Sequence, residues 1–247
     1  MSRASYVAIT GIRHPIDARN VVQLVGPSRR LFCITALLDA QEIEQNIYDS
    51  VKEAGRLFPN SEGVLPILRY STIGKRAGFA PYLSQALKIA SSQWLTAIEI
   101  DVPWPDPASL VVFKRMHGQS VILRVGPDAY REAWGTYDQI VKRLGEYKDV
   151  VTDIMFDVCG LFPPTNLLTL LRFVRVQMPQ DINLGIAGTF TVESLIKDLL
   201  SLLVEFPNLS IETTFDSLQR DPKTVAQFVA DLDRLTSSLT ARAATGA

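Results

Sequence analysis

The chain has 247 residues, of which 47% are hydrophobic and 21% are charged, and its formal net charge is −1. This length suits one domain, and this composition suits a large buried core. A charge so close to zero creates no field that would gather nucleic acid or anionic lipid, so we expect neither as a partner.

The sequence also lacks targeting signals. No apolar run approaches the ~20 residues that a membrane span requires, and the opening segment MSRASYVAITG does not follow the pattern of a signal peptide. Two cysteines, Cys33 and Cys159, have neither metal-ligand spacing nor the density of a disulfide scaffold. We therefore expect a cytoplasmic protein with no membrane contact.

Short apolar, β-branched runs alternate with amphipathic stretches along the whole chain. The runs are Tyr6–Ile12, Leu31–Leu38, Gly63–Ser71, Thr96–Val102, Ser120–Val125, Val151–Asp157, Ile182–Gly188 and Leu209–Thr214. Such an alternation over about 250 residues is typical of a (β/α)8 barrel. The sequence predicts an α/β fold, a single-domain TIM barrel over residues 1–238, followed by a flexible tail at 239–247.

Helical periodicity fills the intervals between the runs. The predicted helices are Asp17–Val25, Ala40–Phe58, Phe79–Ala90, Pro107–Met116, Tyr130–Tyr147, Thr165–Val176, Thr191–Glu205 and Asp221–Leu235. Glu193 is placed to help cap the seventh helix. Asp221 and Pro222 suit the N-cap and first position of the eighth.

The carboxyl ends of the strands form the mouth of such a barrel, where catalytic residues lie. Because the outer face of each strand packs on helices, its polar residues are expected to point inward. This test directs carboxyl groups into the barrel from the fourth, sixth and eighth strands and arginines from the third and fifth. The inward residues are Glu99, Asp101, Asp153, Asp157, Glu212, Arg69 and Arg124, with Ser71, Thr214 and Thr10 on the same faces.

Acids and arginines are thus predicted to interleave around the mouth, with Asp39 ending the second strand and Arg13 and His14 following the first. A mouth with both signs of charge suits a small anionic metabolite that is held by arginines while a carboxylic acid transfers a proton. Structural pairing is the alternative explanation for any one of these residues.

Two loops at the mouth carry further hypotheses. The loop 71–78 contains Lys75 and Arg76, which would close over an anion if the loop moves; a solvated basic loop is the alternative. Gly188 and Thr189 precede the seventh helix, where backbone amides and the helix dipole commonly bind phosphate. The alternative there is a glycine that merely permits the turn.

The sequence predicts no cofactor. It contains no dinucleotide fingerprint or phosphate-cradling loop, and no lysine lies inside a strand run to form a Schiff base. The only histidines, His14 and His117, do not make a zinc site, and no two acids have a familiar metal spacing. Cys159 is interpreted as a small buried residue in a tight turn rather than a reactive thiol.

Several segments occur in the order found in phosphoribosylanthranilate isomerases, the barrel enzymes of tryptophan biosynthesis, and the chain resembles that family over most of its length. The segments are VAITGIRHPIDA, IEIDVPWPDPASLVVFKRM, IMFDVCG, NLGIAGTFTVESL and IETTFDSLQRDPKTVAQFVADL. The resemblance implies a cofactor-independent rearrangement of an aminoaldose phosphate, with Asp157 as general acid. The family's base is a cysteine in the first strand, where this chain has Thr10. Thr189 replaces a second glycine, and Asp216 stands near the expected phosphate.

The leading hypothesis is therefore an isomerase or lyase that acts on a phosphorylated sugar-type substrate without a cofactor. Its predicted catalytic residues are Asp157, Asp101 and Glu212, either of the last two being able to replace the missing base. Its predicted binding residues are Thr10, Arg13, Arg69 and Arg124 for the substrate and Gly188, Thr189 and Thr214 for the phosphate. The alternatives are an inactive barrel used for binding or assembly and a metal-assisted hydrolase or aldolase. The sequence also leaves open whether the protein forms a homodimer.

Overall fold

The chain folds into a closed barrel of eight parallel strands whose spatial order follows their order in the sequence. The computed structural model describes residues 5–26, 28, 30–58, 64–71, 83–84, 95–133, 136–159, 164–191, 193–194, 197 and 199–245. The strands are β1 (Tyr6–Thr10), β2 (Leu31–Asp39), β3 (Val64–Ser71), β4 (Ala97–Asp101), β5 (Ser120–Val125), β6 (Asp153–Asp157), β7 (Asn183–Ala187) and β8 (Ser210–Thr214). The predicted (β/α)8 barrel is confirmed.

Helices follow the strands around the outside of the barrel. They are α1 (Pro15–Val25), α2 (Ala40–Arg56), α3 (Pro107–His117), α4 (Pro127–Glu132), α5 (Tyr137–Leu144), α6 (Pro164–Gln177), α7 (Leu200–Glu205) and α8 (Pro222–Thr245). The predicted helix Phe79–Ala90 and the loop residues Lys75 and Arg76 lie outside the described residues. Across the described part of the chain, no helix combines the length and the apolar character needed to cross a membrane.

The predicted single helix Tyr130–Tyr147 is wrong. It is divided into α4, α5 and a 3-10 turn at Gly145–Tyr147, and α4 begins earlier, at Pro127. Thr136 has an extended backbone and precedes the first residue of α5. An extended residue cannot continue an α-helix, so Thr136 separates α5 from the helix before it.

Helix ends differ from prediction at three further points. Thr191 and Ser194 exchange reciprocal backbone-to-hydroxyl hydrogen bonds at the start of the seventh helical segment, so Ser194 has the capping role predicted for Glu193. In α2, Asn46 is non-helical, with φ −158°. Helix α8 ends at Thr245, beyond the predicted Leu235; whether its last turns fray in solution stays a prediction.

The two faces of each strand have different partners. Outward residues such as Ile9, Ile34, Ile98, Leu123 and Phe156 are buried in the apolar layer beneath the helices. A separate cluster fills the lower interior of the barrel and consists of Tyr6, Ala8, Cys33, Ile67, Ala97, Ile122, Met155 and Ala187. These residues fill the interior below the mouth, with buried Asp153 close to Tyr6, and the charged residues of the next layer lie between them and the mouth.

Candidate functional site

Four charged side chains lie above the apolar cluster and form what we call the charge layer: Arg69, Glu99, Arg124 and Glu212. All four are buried, with exposed fractions of 8% or less. Arg124 Nη1 donates to Glu99 Oε1 at 2.7 Å and to Glu212 Oε1 at 2.8 Å. Arg69 Nη2 donates to Glu212 and, at 3.3 Å, to Glu99 Oε2. Each arginine therefore bridges both glutamates, and this pairing offsets the cost of burying the charges.

The two glutamates of the charge layer titrate in opposite directions. Burial raises the pKa of Glu99 to about 7, although Arg69 and Arg124 oppose the shift. Burial acts in the same sense on Glu212, but there the two arginines outweigh it and lower the pKa to about 2. Below about pH 7 the pair therefore holds one proton, on Glu99, and it loses this proton as the pH rises further.

One donor of the charge layer is not satisfied by this pairing. Arg69 Nε lies 3.1 Å from Glu99 Oε1, yet its direction does not give a hydrogen bond and the atom is buried without an acceptor. Thr35 adds a long contact from the other side, with its hydroxyl 3.5 Å from Glu212 Oε2. The layer is thus held mainly by Arg124 and by the remaining donor of Arg69.

Asp157, the predicted general acid, is engaged at both carboxylate oxygens. Its Oδ2 accepts hydrogen bonds from Arg124 Nε at 3.1 Å and Nη2 at 2.6 Å. Its Oδ1 accepts one from the backbone N–H of Cys159 at 3.0 Å. These hydrogen bonds hold the Asp157 carboxyl in place, and it in turn orients Arg124.

Cys159 follows β6 at the mouth and is exposed, so its prediction as a buried turn residue is wrong. Burial of its partly covered thiol and the neighbouring Asp157 carboxylate raise the pKa of this thiol. A raised thiol pKa disfavours the thiolate, which is the nucleophilic form.

Asp101 differs from the other acids of the mouth. It ends β4 and lines a cleft of about 190 Å³ together with Ser71, Arg124, Gly126 and Asp128. A Cβ placed on Gly126 would lie 3.7 Å from Asp101 Oδ1, which locates the carboxyl at the cleft wall. Burial raises the pKa of Asp101, opposed in part by Arg124. Among the residues that the structure describes, none donates a hydrogen bond to its carboxyl.

The residues predicted to bind phosphate have other partners. The Gly188 N–H donates to the carbonyl oxygen of Glu212 at 3.1 Å, and Phe190 covers Gly188 so closely that a Cβ there would lie 2.9 Å from the ring. Thr214 Oγ1 accepts from the Ser217 N–H at 3.0 Å. Thr189 is exposed, and its N–H contacts the Cys159 thiol. Phosphate binding at these residues stays a prediction, and it would require at least Gly188 to exchange its present partner.

The remaining predicted binding residues are spread over the mouth. Thr10 ends β1 and is partly buried, whereas Arg13 and His14 are exposed and lie away from the cleft lining. The side chain of Asp39 lies outside the described residues. Within the described ranges, no three His, Cys, Asp or Glu side chains come together as metal ligands.

The predicted interleaving of charges is confirmed for strands β3 to β6, where Arg69, Glu99, Arg124 and Asp157 alternate in sign. Sequence reasoning directed Glu99 inward but assigned it no role. The signal was present: Glu99 and Asp101 share one face of β4, and only one of them can lie at the rim. The deeper residue of such a pair is the one to expect in a buried network.

No protein-family model matches the chain, and no curated protein matches it. Solved structures do resemble it. Phosphoribosylanthranilate isomerase from Thermotoga maritima is 14% identical, with a TM-score of 0.60 over 92% of this chain and 98% of that one. A rubisco-like protein from Burkholderia fungorum is 11% identical, with a TM-score of 0.60 over 98% of this chain and 62% of that one. A putative fructose-1,6-biphosphate aldolase from Coccidioides immitis is 11% identical, with a TM-score of 0.59 over 96% and 91%.

These likenesses show the fold. Proteins with such different names share one barrel architecture, so the architecture by itself does not select among their activities. The chain has the (β/α)8 barrel fold, and its function has to be argued from the mouth.

Proposed function

We propose that this protein is a cofactor-independent isomerase or lyase in which Asp101 moves a proton on a small molecule bound in the mouth cleft. The observation that carries the proposal is the state of the Asp101 carboxyl. It lines an open cleft at the carboxyl end of β4, its pKa is raised by burial, and the described residues leave it without a hydrogen-bond donor. A raised pKa brings a carboxyl closer to the pH at which it both gives and takes protons.

Asp101 is favoured over the other two predicted catalytic acids. Glu212 is 1% exposed and is held as an anion by two arginines, with a pKa of about 2. Asp157 accepts hydrogen bonds at both oxygens. Neither carboxyl offers a free oxygen to a substrate in the cleft, so both are assigned to positioning Arg124.

Arg124 links the charge layer to the cleft. It lines the cleft while its guanidinium is fixed by three carboxylates. A guanidinium held this rigidly keeps its position when a substrate arrives and stabilises negative charge near Asp101 during proton transfer.

The finer hypothesis, a phosphorylated sugar as in phosphoribosylanthranilate isomerases, is supported by the order of sequence motifs and is compatible with the shared fold. The donors expected for the phosphate, at Gly188 and Thr214, already have partners. We therefore propose the reaction type independently of a phosphate anchor.

The test is turnover of a panel of aldoses, ketoses, amino sugars and their phosphates in deuterium oxide, followed by proton NMR. Isomerisation or deuterium uptake beside a carbonyl group is expected for the wild type. Asp101→Asn should lower the rate by about 10²–10⁴-fold, the usual contribution of a general acid or base. Asp128→Asn is the matched control, because Asp128 lines the same cleft but is exposed and paired with Arg131. Full turnover by Asp101→Asn would show that the role of Asp101 is wrong.

A second candidate is a non-catalytic barrel used for binding or assembly. It is favoured by the two hydrogen bonds from Arg124 to Asp157 Oδ2 and by the engaged amide of Gly188, which together leave few free donors in the mouth. A folded wild-type protein that turns over no member of the panel would favour this candidate. The described residues give the metal-assisted alternative no ligand set.

A further inference from the structure

The charges of the mouth do not balance among the described residues. Two arginines, Arg69 and Arg124, face the carboxyl groups of Glu99, Glu212 and Asp157 in direct contacts. These five side chains are neutral as a set when Glu99 is protonated and carry one negative charge when it is ionised. In either state the carboxylate of Asp101 is an additional negative charge that no described cation neutralises by direct contact.

Most arginine donors near the cleft are also committed. Arg124 uses both Nη1 hydrogens for Glu99 and Glu212 and uses Nε and one Nη2 hydrogen for Asp157, which leaves one of its five N–H donors. An incoming anion would find only this one donor on Arg124, and it would be repelled by the Asp101 carboxylate that lines the same cleft. A cation meets no such obstacle, because the Asp101 carboxyl accepts no hydrogen bond from a described residue and faces the cleft.

The size of the cleft limits the ligand. Its volume is about 190 Å³, smaller than the roughly 300–1,000 Å³ of sites that enclose drug-sized molecules. Gly126 forms one wall, where the absence of a side chain leaves room beside Asp101 Oδ1. The cleft therefore fits a small metabolite or one end of a larger one.

We propose that the mouth cleft binds its ligand through a positively charged nitrogen group, an ammonium or amidinium, with Asp101 as the counter-ion. This inference rests on the same cleft as the proposed function and names its substrate class, a small amine-bearing molecule rather than an anionic one. It replaces the expectation, drawn from inward-pointing arginines, that the arginines bind an anionic substrate.

The pairing has a defined pH dependence. Asp101 on β4 is influenced by Arg124 on β5, Arg69 on β3, Asp157 on β6 and Glu212 on β8. Only ionised Asp101 attracts the cation. Because burial raises its pKa, binding weakens as the pH falls through that raised value, at a higher pH than for an exposed aspartate.

The experiment uses the full chain and two probes of equal size and opposite charge, n-butylammonium and butanoate, with inorganic phosphate as a third. Dissociation constants are measured by calorimetry at pH 8 and confirmed by amide chemical shifts at Gly126 and Ala129. Butylammonium should bind, and Asp101→Asn should weaken it by about tenfold or more, since the lost contact is charge-assisted. Asp138→Asn, at an exposed position outside the cleft lining, should remain within about threefold of the wild type, as expected for a distant exposed charge.

If Asp101→Asn does not fold, Gly126→Ala supplies a second variant. Its methyl group would occupy space beside the Asp101 carboxyl and should also weaken the binding of butylammonium.

The inference is overturned if butylammonium does not bind, if neither variant weakens its binding, or if butanoate or phosphate binds more tightly. Binding of butylammonium without turnover of any substrate would remove the proposed function and leave this inference standing. Turnover that depends on Asp101 but acts only on anionic molecules would support the proposed function and overturn this inference.

Discussion

Glu99 should make the stability of this protein fall as the pH rises from about 4.5 to above 7. The pKa of Glu99 is about 7 in the folded state, against about 4.3 for a glutamate in an unfolded chain. Between these values the folded state retains a proton that the unfolded state has released. Raising the pH therefore favours unfolding. A difference of about 2.7 pKa units corresponds to about 4 kcal/mol of unfolding free energy over the whole titration, of which about 3 kcal/mol falls between pH 5 and 8.5.

Replacing Glu99 with glutamine should remove this dependence. Glutamine has the shape of a protonated glutamate and keeps a carbonyl oxygen for Arg124, but it does not titrate. Urea unfolding of the wild type and Glu99→Gln at several pH values from 5 to 8.5 gives the difference in stability between them. This difference should move in favour of the variant by about 3 kcal/mol across the range. Other titrating groups cancel in the difference, since both proteins contain them.

Glu212→Gln is the comparison variant, with the same substitution in the same charge layer. The pKa of Glu212 is about 2, so its own stabilising contribution is fully present above the unfolded pKa and is lost only in acid. Glu212→Gln should therefore cost about 3 kcal/mol at pH 5, and this cost should shrink as the pH rises, because the Glu212 carboxylate helps to raise the pKa of Glu99. A Glu99→Gln difference that does not change with pH would refute the reasoning, because it would mean that Glu99 is ionised throughout.

Two other predictions concern packing and thiol access. Gly188→Ala should destabilise the protein by about 1–3 kcal/mol in urea unfolding, because the new methyl group would press on the Phe190 ring. The control is Gly145→Ala, whose methyl group meets nothing within 4 Å and should change stability by less than about 1 kcal/mol. Equal effects of the two substitutions would contradict the packing argument. Native protein treated with a thiol reagent should be labelled at exposed Cys159 and not at buried Cys33. At pH 7.5 the labelling of Cys159 should be slower than that of a free cysteine, because its pKa is raised. Labelling of both cysteines before unfolding, seen by mass spectrometry, would contradict this prediction.

The period-two pattern of the strands was sufficient to predict the barrel and the faces of its strands. On β4, Ile98 and Ile100 are buried beneath the helices while Glu99 points inside, as alternation requires. The reason is physical: a barrel strand must bury one face against helices and the other against seven strands, so an interior charge needs partners at one end of the barrel. Glu99 finds them towards the mouth, and Asp153 finds them at the lower end, where Thr152 and Asn183 donate to it.

Pairing across the barrel was not predictable in the same way. Glu212 on β8 contacts Arg69 on β3 and Arg124 on β5, which are not its neighbours in the sheet. Such contacts depend on the stagger of the closed barrel and on long side chains reaching over its axis. The sequence pattern fixes the direction of each side chain but not its height. Asp101 was thus predicted with Glu212 as a base, although one lies at the rim and the other lies in the buried layer.

The hydrogen bond made by the Gly188 N–H was likewise not predictable from the sequence, because it depends on the register between β7 and β8. Its N–H continues the hydrogen bonding between β7 and β8 through the carbonyl of Glu212, the same residue whose side chain anchors both arginines. The backbone carbonyl of Glu212 thus pairs with an amide predicted to bind phosphate, and its side chain pairs with one nitrogen of each arginine predicted to bind an anionic substrate. One residue of β8 therefore competes with both predicted anion contacts, which stay predictions, whereas the Asp101 carboxyl accepts no hydrogen bond from a described residue. This is why the distinction between a cationic and an anionic ligand is the decisive question for this barrel.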